Sequence, residues 1–291
     1  MDEVASNNVF IKPDSDSAYA AALKFAKTHY ENFPVVSLLV PANLRKHVAI
    51  IDWFARTADD LADEGDLTIE ERLEKLNHFE NRLSELLNGN FINQFELALH
   101  STIKAHNLSS QLFYNLLKAF KQDVTKKRYS SFDELLKYCS NSANPIGRLI
   151  LELSDIRGEK AFYYSDRICT ALQLTNFWQD TLVDLEKGRI YYPLEDMEKF
   201  GAEEKIFELK ENNLNLKALV RFNIERTNRL FDEGKNISRF LGGRLKYEIK
   251  WTILGGEAVL RKIEKINYNV FQFRPKLNKK DFIVLLFRSI F

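Results

Sequence analysis

Five aspartates and an asparagine in this chain stand at spacings that could bind hard cations. Three of them, Asp59, Asp60 and Asp63, lie in FARTADDLADEGD, residues 54–66. In an α-helix, residues four apart share a face and rise about 6 Å along the axis. Asp59 and Asp63 form such a pair, and Asp60 flanks them. Like charges so placed destabilise a bare helix by about 0.2–0.5 kcal/mol. One reading is a solvated helix end, which suits Glu64 and Asp66 beside Gly65. The other is a cation site.

The second cluster strengthens the cation reading. In LTNFWQDTLVDLEKGRIYYP, residues 174–193, Asn176, Asp180 and Asp184 stand at i, i+4 and i+8. Leu174, Phe177, Trp178, Leu182 and Leu185 surround them, so a largely buried helix is expected. A buried carboxylate is costly unless it is paired or bound to a metal. Two such stripes facing each other would suit Mg²⁺, which takes oxygen ligands and shares them with substrate phosphates. Arg56 sits one turn before Asp59 and Asp60, Lys187 and Arg189 follow the second stripe, and TKKRY (125–129) adds a third cationic group. A diphosphate leaving group needs such donors together with a metal as its charge develops. Taken one at a time, each basic residue also reads as surface charge. With 22 Phe, 11 Tyr and 3 Trp, an apolar cavity walled by rings is expected, its faces able to stabilise a carbocation. For any single ring, core packing is the competing reading.

The elements that must position these residues read as helices. Apolar periodicity predicts them near 15–29, 42–64, 68–88, 91–106, 109–123, 132–140, 145–155, 159–185, 212–241 and 245–267, with a last one from 278. Asp16, the pair Thr68 and Glu71, and Ser131 before FDELLKY are start signals. ANPIG and GRIYYP break the pattern. No alternating strand pattern, repeat or low-complexity linker divides the chain, so one all-α domain over residues 1–291 is expected.

Composition narrows the partners. Forty-two Lys and Arg against 41 Asp and Glu give a net charge of +1, no footprint for a nucleic acid. Cys139 and Cys169 make neither a disulfide framework nor a zinc pair, which points to a reducing, cytoplasmic setting. The acidic, polar MDEVASNNVF is unlike a signal peptide, and no apolar run approaches the roughly 18 residues of a membrane span. DFIVLLFRSIF at the C-terminal end reads either as a buried helix or as one that touches a membrane surface.

These stretches resemble the squalene/phytoene synthase family, the head-to-head isoprenyl synthases. The likeness covers residues 25–275. It rests on NFPVVSLLVPANLRKHVAIIDWFARTADDLADEGD, YCSNSANPIG and QLTNFWQDTLVDLEKGRIYYP. ENFPV, CSNSANPIGRL and NFWQD bring it nearest to the hydroxysqualene synthases of bacterial hopanoid pathways. The resemblance implies a helical isoprenoid-synthase bundle around a central cavity. It implies that Asp59, Asp60 and Asp63 match the family's first aspartate-rich motif and that Asn176, Asp180 and Asp184 match the second, with Mg²⁺ held between them. It also implies that Arg56 and Arg189 face the diphosphate, and that Asn32 and Phe33 fall where the family has a serine-phenylalanine pair near it.

Two departures bear on the reaction. Squalene synthases carry a tyrosine where this chain has Asn141, and many members have an arginine where it has Gln179. The tyrosine is associated with closing the cyclopropane of presqualene diphosphate from two farnesyl diphosphates. The two losses together imply an enzyme that receives presqualene diphosphate, ionises it and lets water trap the cation, with no reductant; no G-x-G-x-x-G follows a strand. Asn141 and Asn144 are the polar candidates for holding that water, with helix-end capping as the alternative. The rivals are a condensing synthase fed by farnesyl diphosphate, a terpene cyclase, and a non-enzymatic helical lipid-binding protein.

Overall fold

The computed structural model describes residues 15–28 and 39–290, and every regular element among them is helical. The first group is α1 (Ser15–Thr28), α2 (Arg45–Asp63), α3 (Ile69–Leu87), α4 (Gln94–Ala105) and α5 (Ser110–Thr125). Then come α6 (Phe132–Ser142), α7 (Asn144–Leu153), α8 (Glu159–Gln179), α9 (Thr181–Glu186), α10 (Leu194–Phe200) and α11 (Glu204–Glu208). The chain ends with α12 (Leu214–Gly234), a 3₁₀ turn (Lys235–Arg239), α13 (Gly243–Lys265) and α14 (Lys279–Ile290).

Local chemistry explains several starts. Thr68 and Glu71 form a reciprocal capping box, with backbone-to-side-chain bonds of 2.8 and 3.2 Å. Ser131 accepts from the Glu134 N–H, and Asn93 from that of Glu96, each supplying one of the donors a helix start leaves unpaired.

Two apolar clusters form the interior. The helices α1 to α5 bury Phe54, Leu76, Leu99 and Phe113 in one; α8 and α10 to α13 bury Trp178, Tyr192, Phe207 and Phe231 in the other. The helix α7 stitches them together. Its Leu149 and Leu153 enter the first, its Leu151 enters the second, and Ile150 packs against both. Gly147 makes this possible: a Cβ there would overlap Cys169 Sγ and lie 2.5 Å from Ser165 Oγ, so α7 can rest on α8 only without one.

The structure corrects the expected helix over 159–185. It breaks at Asp180 (φ −100°, ψ 16°) into α8 and α9. Thr181 turns its hydroxyl back to the carbonyls of Phe177 and Trp178, both at 3.2 Å, and such back-bonding bends a helix. The helix expected over 212–241 likewise ends at Gly234 and tightens into the 3₁₀ turn.

Candidate active site

From its middle to its C-terminal end, α2 carries Asp52, Arg56, Asp59, Asp60 and Asp63. Arg56 Nε donates to both Asp52 carboxylate oxygens, at 3.2 and 3.3 Å. Asp59 and Asp60 are exposed. Asp63 is half-buried between two cations from the far side of the second stripe. Lys187 Nζ reaches it at 2.7 Å and Arg189 Nη1 at 3.0 Å, while Arg189 Nη2 grips the other oxygen. The two acidic segments therefore do meet, and basic residues join them. Arg189 and Lys187, expected beside their own stripe, bind the first one.

On the second side, Asp180 receives a fork from Arg274, Nε at 2.5 Å and Nη2 at 2.7 Å. Asp184 makes no side-chain ion pair among the described residues. The helix α8 is largely buried, as expected, with Leu174, Phe177 and Trp178 inward, while Asn176 is exposed.

The electrostatics are uneven. Burial works against ionisation of Asp63, yet the hydrogen bonds from Arg189 and Lys187 outweigh it and hold the carboxyl down at about 2. Burial raises Asp184 to about 7, and the neighbouring Asp180 adds to the rise. Asp123, near the end of α5, is also pushed up to about 7 by burial, against a 2.8 Å hydrogen bond from Tyr138. Its Oδ1 is buried with no hydrogen-bond partner. Two carboxyls this reluctant to ionise would be relieved by a further cation.

The donors fit Mg²⁺ in kind, being carboxylate and amide oxygens. Among the described residues no three acid, His or Cys side chains already converge on one point. Asp59, Asp60, Asp180 and Asp184 could hold a divalent ion only with part of its shell supplied by phosphate oxygens or water.

A cavity of about 320 Å³ opens between α2, α7 and α13. Val48, Ile51 and Ala55 line one side, with Ile146, Ile150 and Ile249 opposite. Asp52 is on its wall, so the Asp52–Arg56 pair leads from the apolar space toward the acidic stripes. Among the described residues lining this cavity none is aromatic, whereas a small pocket beside Asp184 and Arg189 is walled by Phe177, Tyr191, Tyr192 and Phe207. Rings stack there, Phe177 on Tyr191 at 3.6 Å and Trp178 on Tyr192 at 4.7 Å. Trp178 also donates its Nε1–H to Thr227 Oγ1 at 2.9 Å, a bond that fixes a fully buried indole.

The remaining predicted residues divide. Asn141 donates its amide to the Lys137 carbonyl at 3.1 Å, one turn back on α6. Asn144 is buried and accepts from Thr170 at 3.0 Å. Gln179 is 1% exposed and donates to the Pro275 carbonyl at 2.5 Å, not into open space. Asn32 and Phe33 lie outside the described residues. Sequence reasoning missed Asp52, Asp123, Tyr138 and Arg274. Asp52 and Asp123 carried a faint signal, as acids on the inner faces of amphipathic helices. Arg274 carried none, lying 94 positions from its partner.

Residues 26–281 match the family model described as squalene/phytoene synthase. The chain belongs to the squalene/phytoene synthase family. Within the family it is 32% identical over 223 residues to the hydroxysqualene synthase of Rhodopseudomonas palustris, covering 75% of this chain and 74% of that one. It is 28% identical over 271 residues to the 15-cis-phytoene synthase of Synechocystis, covering 89% and 80%. The crystal structure of the squalene synthase HpnC from Alicyclobacillus acidocaldarius superposes with a TM-score of 0.83 at 34% identity, covering 88% of this chain and 96% of that one. The protein is thus an isoprenoid synthase with the family's all-α fold, acting on prenyl diphosphates, while relatives with different products stand at comparable distance.

Proposed function

We propose that the protein is a hydroxysqualene synthase, converting presqualene diphosphate and water to hydroxysqualene and diphosphate. Asn141 carries this reading. Closing a cyclopropane from two farnesyl diphosphates requires a proton to leave a cationic intermediate, so a base or relay must stand there. An amide neither accepts a proton readily at neutral pH nor passes one on as a phenol does. Capture of the later cation needs only a held water. The identity with the R. palustris hydroxysqualene synthase supports the same choice.

In this reading Arg56, Lys187 and Arg189 receive the diphosphate. When the carbon–oxygen bond breaks, its electron pair leaves with the diphosphate and these donors stabilise the charge. Mg²⁺ bound by the Asp59–Asp63 and Asn176–Asp184 stripes would offset the rest of that charge. The cyclopropylcarbinyl cation rearranges in the aliphatic cavity, which keeps bulk water out. A single water oxygen then forms the new carbon–oxygen bond, and its proton passes to diphosphate or solvent. The test is incubation with presqualene diphosphate and Mg²⁺ without a reductant. Hydroxysqualene is the expected thirty-carbon product.

A condensing synthase is the second reading, favoured by the match to the Synechocystis phytoene synthase along 89% of the chain. Farnesyl diphosphate as sole substrate separates the two. Presqualene diphosphate formed at a rate comparable to presqualene diphosphate use would replace the first reading with the second.

Both readings involve oily products, and α14 suits a place at a bilayer surface. No described helix is long and apolar enough to cross a membrane. Yet Ile283, Val284, Phe287 and Ile290 of α14 are 43–60% exposed, while Leu285 and Ser289 face inward. Lys279, Lys280 and Arg288 surround that outer face, and its acid, Asp281, is paired with Lys262 at 2.6 Å. An outward apolar face ringed by cations matches an anionic lipid surface.

A further inference from the structure

The segment between α13 and α14 crosses the second acidic stripe as a strap. Residues 270–277 are anchored at three points. Val270 and Phe271 are buried, Phe271 against Phe207 with ring centroids 5.8 Å apart. The Pro275 carbonyl accepts from Gln179 at 2.5 Å, and the Lys276 carbonyl accepts from Lys262 at 3.0 Å. Arg274 stands between the first two anchors, 40% exposed, with its guanidinium forked onto Asp180.

Gln179 is the last residue of α8 and immediate neighbour of Asp180. The side chain that holds the strap and the carboxylate that receives the strap's arginine are therefore consecutive in the chain. A buried amide on a buried carbonyl is a fixed anchor, since losing the donor leaves the carbonyl unsatisfied. An exposed guanidinium on a half-buried carboxylate is a weaker and exchangeable contact.

We propose that Gln179 is a positioning residue. It holds the strap so that Arg274 lies over the second carboxylate stripe, neutralising Asp180 at rest and remaining at hand when a metal–diphosphate arrives. Gln179 acts through Arg274 and touches no substrate. This inference rests on the diphosphate-ionising reading of the site, but not on which prenyl diphosphate is used.

The test uses the full chain. Hydrogen exchange is measured on the strap amides of Gln272 and Phe273, whose N–H groups bond Asn269, and binding of magnesium with inorganic diphosphate is measured by calorimetry. In Gln179→Leu, strap exchange rises at least tenfold, with α8 and α13 amides nearly unchanged, and affinity for the magnesium–diphosphate pair falls about tenfold. In Arg274→Gln, affinity falls as much while strap protection stays, because the anchor is intact. The double variant loses no more affinity than either single one. Gln179→Met, which keeps the volume without the donor, replaces Gln179→Leu if that variant does not fold. Unchanged strap protection on losing the amide overturns the proposal, as do affinity losses that multiply to about a hundredfold in the double variant. Failure to convert presqualene diphosphate, with these results intact, would count against the substrate assignment alone.

Discussion

Asp63 and Asp184 share the neighbourhood of Arg189 and end with opposite proton affinities, one near 2 and the other near 7. Direct hydrogen bonds decide the difference, because burial disfavours ionisation in both. Asp123 resembles Asp184, and its consequence for stability has a definite sign. Its folded-state value of about 7 lies above the ordinary carboxyl value of about 3.9. It therefore favours folding fully below about pH 4, and that contribution is lost as pH rises through about 7. Asp123→Asn keeps an acceptor for Tyr138 and removes the titration. By calorimetry in the presence of a chelator, the difference in Tm between pH 4 and pH 7.5 should shrink by several degrees, and an unchanged difference refutes the assignment. For the acidic stripes the expectation is kinetic. Asp60→Asn and Asp180→Asn should each lower metal-dependent diphosphate release at least a hundredfold while moving Tm by only a few degrees, since exposed and half-exposed charges contribute little to folding. Near-normal release in both would remove the metal assignment. The aspartates were legible as residues because helical spacing is visible in a string of letters. Their partners were not: Arg189 answers Asp63 across 126 positions, and Arg274 answers Asp180 across 94.

At the scale of elements, helix positions were legible wherever a cap and an amphipathic face agreed, as at Thr68 and Ser131. The break at Asp180 was hidden because apolar periodicity continues through it. The helices α10 and α11 were missed because seven and five residues are too few to form a helix on their own. They exist here through burial, with Met197, Ile206 and Phe207 packed into the second cluster. The ANPIG stretch, read as a break ahead of the helix expected from 145, starts α7 at Asn144, with Pro145 in the first turn where its missing N–H does no harm. Its glycine gives a prediction at this scale. Gly147→Ala should lower Tm by roughly 3–10 °C, the cost of forcing α7 away from α8 at a packed contact. A thermal melt unchanged from the parent would mean the two helices are not pressed together as described.

For the whole molecule, the all-α architecture was legible and the places of the rings were not. Counting aromatic residues said nothing of where they go: among the described residues, Phe177, Tyr191, Tyr192 and Phe207 gather beside Asp184 and Arg189, and none lines the cavity between α2, α7 and α13. The C-terminal helix presented two alternatives in the sequence; the structure turns Leu285 and Ser289 inward and leaves Phe287 and its apolar neighbours outward, and lipid contact is a proposal on that outer face. Ile283→Asp with Phe287→Asp should abolish flotation with vesicles containing anionic phosphatidylglycerol while leaving the far-UV spectrum and Tm near those of the parent. Flotation unchanged by both aspartates would mean that α14 does not dock to lipid. A shift from dimer to monomer in light scattering would instead assign the face to a second copy.

The ion pair between Asp63 and Arg189 also has a history during synthesis. A ribosome adding about 5–20 residues per second needs roughly 6–25 s to travel from one partner to the other, 126 positions later. In that interval α1 to α5 can gather much of their own apolar cluster, Phe54 against Phe113 included, while the acidic end of α2 stays hydrated and unanswered. Until Lys187 and Arg189 are made, Asp63 lacks both of the cations that bind it in the folded protein. Those two basic residues are translated only after all of α1 to α5.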